Sequence, residues 1–392
     1  MIIVIISVKY RCLGALIFYL DNLIFTFDEN NWYLMSKKVL VAPLNWGLGH
    51  ATRVIPIIDC LYKNNFSVII AADGKALRFL QKEFPHLPSF RLPDVNIRYS
   101  KKHVFVTIFL QIPKIFFHSL IEHFKLKSIL KKDPVDLIIS DNRFGVWHKK
   151  AHNILISHQL KLKLPQSIAF LSFVYPIIFK RFLKPFDECW VPDFAGKENF
   201  SGELSHHLSH LSSIKYIGVL SRFNRYLTSQ NIDKRYDLLF ILSGPEPQRT
   251  IFEKLIANQM KGNKYRVAIV RGIEQKEKLE CAGPVFGIVN TEPLYNLIKQ
   301  SKWVICRAGY SSIMDLYVTQ AQAILIPTPG QTEQEYLADY LKQKKYFYSV
   351  SQQSFNLDKS LEQARNFAPP VYNAKRNRLE EVVNSLKLKL QE

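Results

Sequence analysis

No apolar stretch in this 392-residue chain runs uninterrupted for the ~18 to 20 residues that a spanning helix needs, which excludes a polytopic membrane protein. Cysteine is scarce and scattered. The five residues Cys12, Cys60, Cys189, Cys281 and Cys306 are odd in number and form no C-x-x-C pair. That argues against a disulfide framework and favours reduced thiols, with Cys60 and Cys306 as small apolar fillers of core elements. Acidic side chains are also few: 33 Asp and Glu stand against 53 Lys and Arg, a net charge of +20 that calls for an anionic partner. Lipid surfaces, nucleic acid and phosphorylated ligands all qualify. No zinc knuckle, RNA-stacking sheet motif or helix-turn-helix signature is present, so nucleic acid is not expected. What remains is an ordinary globular composition, 47% hydrophobic and 22% charged, long enough for two domains with separate cores.

Residues 1–35 stand apart. Their apolar runs are interrupted by Lys9, Arg11 and Asp21, and no small-residue cleavage site follows. Met35-Ser36-Lys37-Lys38 then leads directly into a first strand. Two readings stay open: translation from upstream of a natural start at Met35, or a membrane-associating segment. Either way the fold begins near residue 36.

From there strands, loops and helices alternate. Strands are predicted at 39–43, 66–71, 135–140, 154–157 and 189–191, with helices at 51–63 and 75–83. The alternation restarts with strands at 237–242 and 266–270 and helices at 248–258 and 293–299. Such alternation implies parallel sheets covered on both faces, hence an α/β chain with two Rossmann-like domains facing a cleft. The polar, Ser/His-rich stretch 201–233 holds a short strand at Tyr216-Ile217 and reads as the connection. The expected domains are 36–215 and 216–365, followed by a basic helix within 366–392 placed across the first half.

The most informative string is Cys306-Arg307-Ala308-Gly309-Tyr310-Ser311-Ser312-Ile313-Met314-Asp315. An apolar run delivers the backbone to a turn, and Ser311 and Ser312 open a helix whose free N–H groups and positive dipole end seat a phosphate. One turn later Asp315 is placed to accept from two ribose hydroxyls. A strand at 323–326 and the loop Pro327-Thr328-Pro329-Gly330-Gln331-Thr332-Glu333-Gln334-Glu335 add polar groups at the same sheet edge. Phosphate seat, diol acceptor and polar clamp describe a nucleotide-sugar site.

Two further glycine loops follow strands and open helices. In Asn45-Trp46-Gly47-Leu48-Gly49-His50-Ala51-Thr52-Arg53, Gly47 and Gly49 let backbone approach a ligand. As a dinucleotide fingerprint the loop is incomplete, because Thr52 stands where a third glycine or alanine belongs. Asp73 at the next strand tip nevertheless keeps an NAD enzyme among the alternatives. His50, at a helix N-terminus facing the cleft, is suited to take a proton from an incoming hydroxyl. The second loop, Leu242-Ser243-Gly244-Pro245-Glu246-Pro247, offers Ser243 and nearby N–H groups to a phosphate. Asp141 lies at a strand's carboxyl end, the ligand edge of an open α/β sheet, where it could orient the acceptor, support His50, act as base or merely cap a helix.

Two other clusters are weaker. His206, His207 and His210 lack the glutamate of an H-E-x-x-H pair and read as polar linker, so no metal and no cofactor are expected. Residues 101–132 carry seven lysines and one glutamate among Phe105, Phe109, Phe116, Phe117 and aliphatic side chains. Residues 179–186 repeat the theme with Lys180, Arg181 and Lys184. Such stretches suit either an interfacial membrane patch or a buried apolar side beneath a solvated basic one.

Together these motifs resemble GT-B glycosyltransferases of family 28, the group of the lipid-linked peptidoglycan N-acetylglucosaminyltransferase and of the diacylglycerol galactosyltransferases. The likeness is good over 237–340 and thinner before it, apart from the first loop and Gly218-Val219-Leu220-Ser221-Arg222. The resemblance implies an inverting, metal-independent transferase taking a UDP-sugar donor and a lipid-linked or amphipathic acceptor. It also implies a peripheral, cytoplasmic location on an anionic membrane face. By the same resemblance His50 matches the family's loop histidine, Ser243 a donor phosphate contact, and Arg222 a basic donor-side residue. Val289 and Asn290 match the base-recognition turn, and Gln334 and Glu335 the residues that hold the sugar hydroxyls. Asp for the usual Glu at 315 and Glu for Gln at 335 are departures that leave the sugar open, and Ser243-Gly244-Pro245 replaces a richer glycine loop. The string Gly47 to Arg53 is also similar to nucleotide-sugar hydrolases of the same fold, and a non-catalytic nucleotide-sugar binder is a third possibility.

Overall fold

The computed structural model describes residues 15–20, 23–28, 36–93, 112–161, 174–206, 213–227, 232–273 and 283–390. In the N-terminal extension, β1 (Ala15–Leu20) and β2 (Leu23–Asp28) pair antiparallel in a sheet of their own.

The first large sheet begins with β3 (Lys38–Pro43), followed by α1 (Leu48–Lys63), β4 (Ser67–Ala72), α2 (Gly74–Glu83) and β5 (Ser89–Arg91). Then come α3 (Ile112–Leu130), β6 (Leu137–Asp141), β7 (His152–Ile156), α4 (Val174–Leu183), β8 (Glu188–Val191) and β9 (Ile214–Tyr216). All seven strands run parallel in the order β5-β4-β3-β6-β7-β8-β9. The residues of β3 show why the strands read as continuous apolar runs. Val39 and Val41 face a core built with Val54, Ile57 and Ile58 of α1, while Leu40 and Ala42 face a second core with Leu126 and Leu130 of α3. Both faces are covered, so neither tolerates a polar residue.

The second sheet repeats the plan. Its elements are β10 (Tyr236–Ile241), α5 (Gln248–Met260), β11 (Val267–Val270), β12 (Val285–Phe286), α6 (Thr291–Lys299) and β13 (Ser301–Cys306). They continue with α7 (Tyr310–Thr319), β14 (Ala323–Leu325), α8 (Thr332–Gln343), β15 (Tyr348–Ser349) and α9 (Leu357–Ala364). Its six parallel strands are ordered β12-β11-β10-β13-β14-β15. Counted within each half, both sheets follow the 3-2-1-4-5-6 order of doubly wound folds, the first with a seventh strand added, and in such folds ligands bind at the switch point between strands 1 and 4. Here those points lie between β3 and β6, and between β10 and β13.

The chain then returns to the first half. Leu379, Val382, Val383 and Leu386 of α10 (Leu379–Lys389) join the core over α1. This helix starts at Leu379, inside the range 366–392 expected for it, after Pro369-Pro370 and a short 3-10 turn at Ala374–Arg376. The short strand near Tyr216 is not free-standing linker, because β9 pairs with β8 as the seventh strand of the first sheet.

Helix α3 holds part of the basic, aromatic stretch; residues 101–111 of that stretch, and His207 and His210, lie outside the described residues. The stretch's single glutamate, Glu122, pairs with buried Arg143, whose guanidinium also donates to the carbonyls of Leu92 (2.9 Å) and Pro93 (3.0 Å). Gly145 permits this close docking: a Cβ there would stand 2.2 Å from the Ser119 carbonyl oxygen. Thus α3 is fixed against the carboxyl edge of the sheet.

Candidate active site

At the first switch point, Pro43 and Asp141 are register partners on β3 and β6. The loop leaving β3 carries Gly47 at φ +103°, open to solvent, then starts α1 with His50 in its first turn. His50 Nδ1 lies 3.1 Å from Asp141 Oδ2, and Arg53, one turn on, donates through Nε to the same oxygen (3.2 Å) and through Nη2 to Oδ1. Burial alone would raise the Asp141 carboxyl, but the Arg53 guanidinium and His50 outweigh it and hold it below the ordinary carboxylate value. Asp141 is therefore an ionised partner of His50, not a helix cap.

His50 Nδ1 also stands 2.9 Å from Arg53 Nη2. The carboxylate favours a proton on Nδ1 and the guanidinium favours a lone pair there, so the balance between them sets which ring nitrogen carries the proton. Asp73, by contrast, caps α2 through Gly74 N and accepts from Arg91 Nε (2.7 Å).

The second switch point supplies the opposing wall. Gly309 is the N-cap of α7, and no side chain caps the helix. Ser311, in the first turn, donates from Oγ to the Gly49 carbonyl across the domain boundary (2.9 Å). A Cβ on Gly49 would stand 3.2 Å from that hydroxyl, so the glycine lets the two walls meet. Ser243 and Gly244 follow β10 on the same edge. Gly244 has φ +107° and sits beside Thr328, whose buried hydroxyl has no partner among the described residues. Asn290 precedes α6 without capping it through its side chain, and Val289 packs on the second domain's core.

Several expected contacts are engaged elsewhere. Asp315 turns into the protein: Oδ1 accepts from Ser221 Oγ (2.7 Å) and Oδ2 from Arg222 Nε (3.1 Å), which occupies Arg222 as well. Asp is one methylene shorter than Glu, and burial dominates, raising its carboxyl above the ordinary value. Arg307 is a core strut that donates to the carbonyls of Gln248 (2.9 Å), Ile326 and Pro327 and to Gln352 Oε1 (2.7 Å), and lies over the Phe252 ring. Tyr310 is buried and donates to the Pro192 carbonyl (2.8 Å). Gln334 accepts from Thr328 N (2.9 Å) and donates to Gln331, and Glu335 accepts from Gly330 N (2.8 Å). Gln334 and Glu335 thus brace the Pro/Gly loop from α8, with Gln331 as the helix's N-cap. His206 has each ring nitrogen against a carbonyl oxygen, those of Gly202 (2.9 Å) and Phe194 (3.0 Å), which accounts for it as a structural residue.

Three residues not singled out from the sequence belong to the site: Arg53, His158 and Glu333. His158 follows β7 at the same carboxyl edge as Asp141, a positional signal that was available. Its Nδ1 is 2.7 Å from Arg53 Nη1, and its Nε2 is 2.7 Å from Glu333 Oε1 in the other domain.

Two parallel doubly wound sheets with facing switch points define the GT-B fold. Solved structures of that fold cover most of the chain. Spinosyn forosaminyltransferase SpnP matches over 91% of this chain and 100% of its own at 12% identity (TM-score 0.56). Acinetobacter baumannii MurG matches over 90% and 99% at 12% identity (TM-score 0.52). Arabidopsis thaliana UGT89C1, solved with UDP-L-rhamnose, matches over 90% and 94% at 13% identity (TM-score 0.53). At such identities the likeness is one of fold. No curated protein sequence matches the chain. Residues 238–388 match the glycosyltransferase family 28 C-terminal domain, a stretch that includes α7 and the Pro/Gly loop.

Proposed function

We propose that this chain is an inverting glycosyltransferase. It moves N-acetylglucosamine or a hexose from a UDP-sugar to a hydroxyl of a lipid-linked or amphipathic acceptor at the cytoplasmic face of a membrane. The family match over 238–388 and the GT-B fold support sugar transfer. The observation that carries the reading is the apposition of the His50–Asp141 pair with the uncapped N-terminus of α7, joined by the Ser311–Gly49 contact.

In this scheme the N–H groups at Ser311 and Ser312, the α7 dipole and the Ser243-Gly244 loop hold the donor pyrophosphate. His50 donates Nδ1–H to Asp141, leaving the Nε2 lone pair as base. The acceptor oxygen attacks the anomeric carbon from the side opposite the phosphate; its proton goes to His50 Nε2, and the carbon–oxygen bond to UDP breaks. The helix dipole offsets the charge developing on the leaving diphosphate. The experiment is a mass-spectrometric screen of UDP-sugars against a membrane-lipid extract. A lipid product heavier by one sugar supports the reading. UDP release at full rate with water alone would make the protein a hydrolase.

The membrane part of the reading is supported by α3. Phe116, Phe117, Leu120, Ile121 and Phe124 form an exposed stripe at helical spacing, and Lys114, Lys125, Lys127, Lys131 and Lys132 are also exposed. Lysines near an anionic surface contribute about 1 kcal/mol each. Among the described residues no helix is long and apolar enough to cross a membrane. Replacing Phe117 and Phe124 by serine is expected to weaken sedimentation with anionic vesicles about tenfold or more, since each ring stabilises burial by roughly 1.5–3 kcal/mol when fully inserted. Unchanged sedimentation would remove the membrane face from the proposal.

A further inference from the structure

His158 is held on three sides. Its ring stacks on Tyr310 of α7, with centroids 4.2 Å apart and planes 10° from parallel. Arg53 Nη1 contacts Nδ1, and Glu333 Oε1 contacts Nε2. A guanidinium only donates, so Nδ1 must be the acceptor, and the single ring proton sits on Nε2 and points at Glu333. Burial, followed by the opposing pull of Glu333 and the push of Arg53 and His50, lowers the imidazole's pKa, in keeping with a neutral ring. A continuous polar chain therefore runs from Glu333 of the second domain through His158 and Arg53 to Asp141 and His50 of the first.

Other residues of helix α8 hold the 199–203 segment, whose Phe200 packs in the second domain's core. Tyr336 Oη accepts from Glu203 N (2.8 Å), and Tyr340 Oη donates to Asn199 Oδ1 (3.0 Å). Glu333, Tyr336 and Tyr340 are three and then four residues apart, which places them on one helix face. Gln334 and Glu335, on other faces of α8, brace the Pro/Gly loop of its own domain. One helix thus carries both the side chains that brace the loop expected to meet the donor sugar and Glu333, its contact with the proton-accepting pair of the first domain.

We infer that His158 and Glu333 are positioning residues forming a latch between the domains, which sets Arg53, and through it the His50–Asp141 pair, only when the two halves are together. The catalytic part of this inference rests on the sugar-transfer reading; the latch itself does not. Protonating His158 would place a proton on Nδ1 against Arg53 Nη1. The groups that face His158 are Arg53 and His50 from α1, Glu333 from α8 and Tyr310 from α7, and of these only Glu333 favours the charged ring. Because the latched ring has a lowered pKa, the latch is complete above the ordinary imidazole value of about 6.5 and is lost as pH falls toward the lowered one.

The test uses the full chain with small-angle scattering for domain separation and steady-state kinetics for transfer. Glu333→Ala and His158→Phe, the latter keeping the stack on Tyr310, are each expected to enlarge the radius of gyration. Both are also expected to lower kcat about tenfold or more with donor KM changed less than about threefold. The double variant should be no worse than the poorer single, because both cut one chain of contacts. Glu333→Gln, which still accepts from Nε2–H, should restore the compact form and the rate. The Glu333 side chain is 32% exposed, so its removal leaves no buried cavity to confuse the result. A wild-type radius of gyration in both broken variants, or full kcat in both, would overturn the latch. Expansion in the variants of a protein that transfers no sugar would support the latch while refuting the sugar-transfer reading.

Discussion

His50→Ala should lower the rate of sugar transfer by about 10²- to 10⁴-fold, the range a positioned general base supplies, with donor KM little changed. The imidazole stands at the head of α1, opposite the seat expected for the donor, and its Nδ1 is 3.1 Å from a buried carboxylate. Asp141→Asn should cost about as much. An amide that turns its oxygen to Arg53 presents its NH2 to His50 Nδ1, which then accepts, moving the ring proton to Nε2 where the acceptor hydroxyl must be deprotonated. The double variant should be scarcely slower than the worse single, because both remove one function. Initial rates at saturating donor and acceptor measure all three, and full activity in both singles would end the proposed mechanism.

Arg53→Leu should be the most damaging substitution to stability, at about 3–5 kcal/mol by urea denaturation, because it strands a buried carboxylate. Arg53 and Asp141 are 2% and 0% exposed, and the guanidinium touches Asp141, His50 and His158 together. The pH dependence should also reverse. In the native protein the lowered Asp141 pKa contributes stability that is present above the unfolded carboxyl value of about 3.9 and is lost as pH falls through the folded one. Without Arg53, burial prevails and the carboxyl pKa rises, so the variant loses stability as pH climbs past about 3.9 toward its new value. A variant whose midpoint follows the native pH trend would show that Arg53 is not what keeps Asp141 charged.

Much of this architecture was legible in the sequence because sheets covered on both faces demand long apolar runs, and the loops that leave them carry glycine. The β3–α1, β10–α5 and β13–α7 loops were all recognisable in this way, and Asp141 stood out by its place at a strand end. Side-chain direction was not legible. Asp315 was one turn past the expected phosphate seat, yet Ser221 and Arg222, 94 and 93 residues earlier, claim its oxygens. Arg307 sits in the most informative string but is consumed by carbonyls of Gln248, Ile326 and Pro327. His158 and Glu333 are 175 residues apart, and no local pattern pairs them; the contact exists only because both sheets present their carboxyl edges to one another. The strand near Tyr216 looked like linker because three residues are too few to show a period, and its place was decided by pairing with β8.

The proposal that the head of α7 grips a pyrophosphate across from His50 is tested most directly by calorimetric titration of the full chain with UDP-sugars, alongside Ser311→Glu. That substitution puts a carboxylate where the diphosphate would sit. The account predicts saturable binding of at least one UDP-sugar below millimolar concentration by the native protein, and its loss in the variant. Absence of binding at millimolar donor, or equal binding by Ser311→Glu, would contradict it.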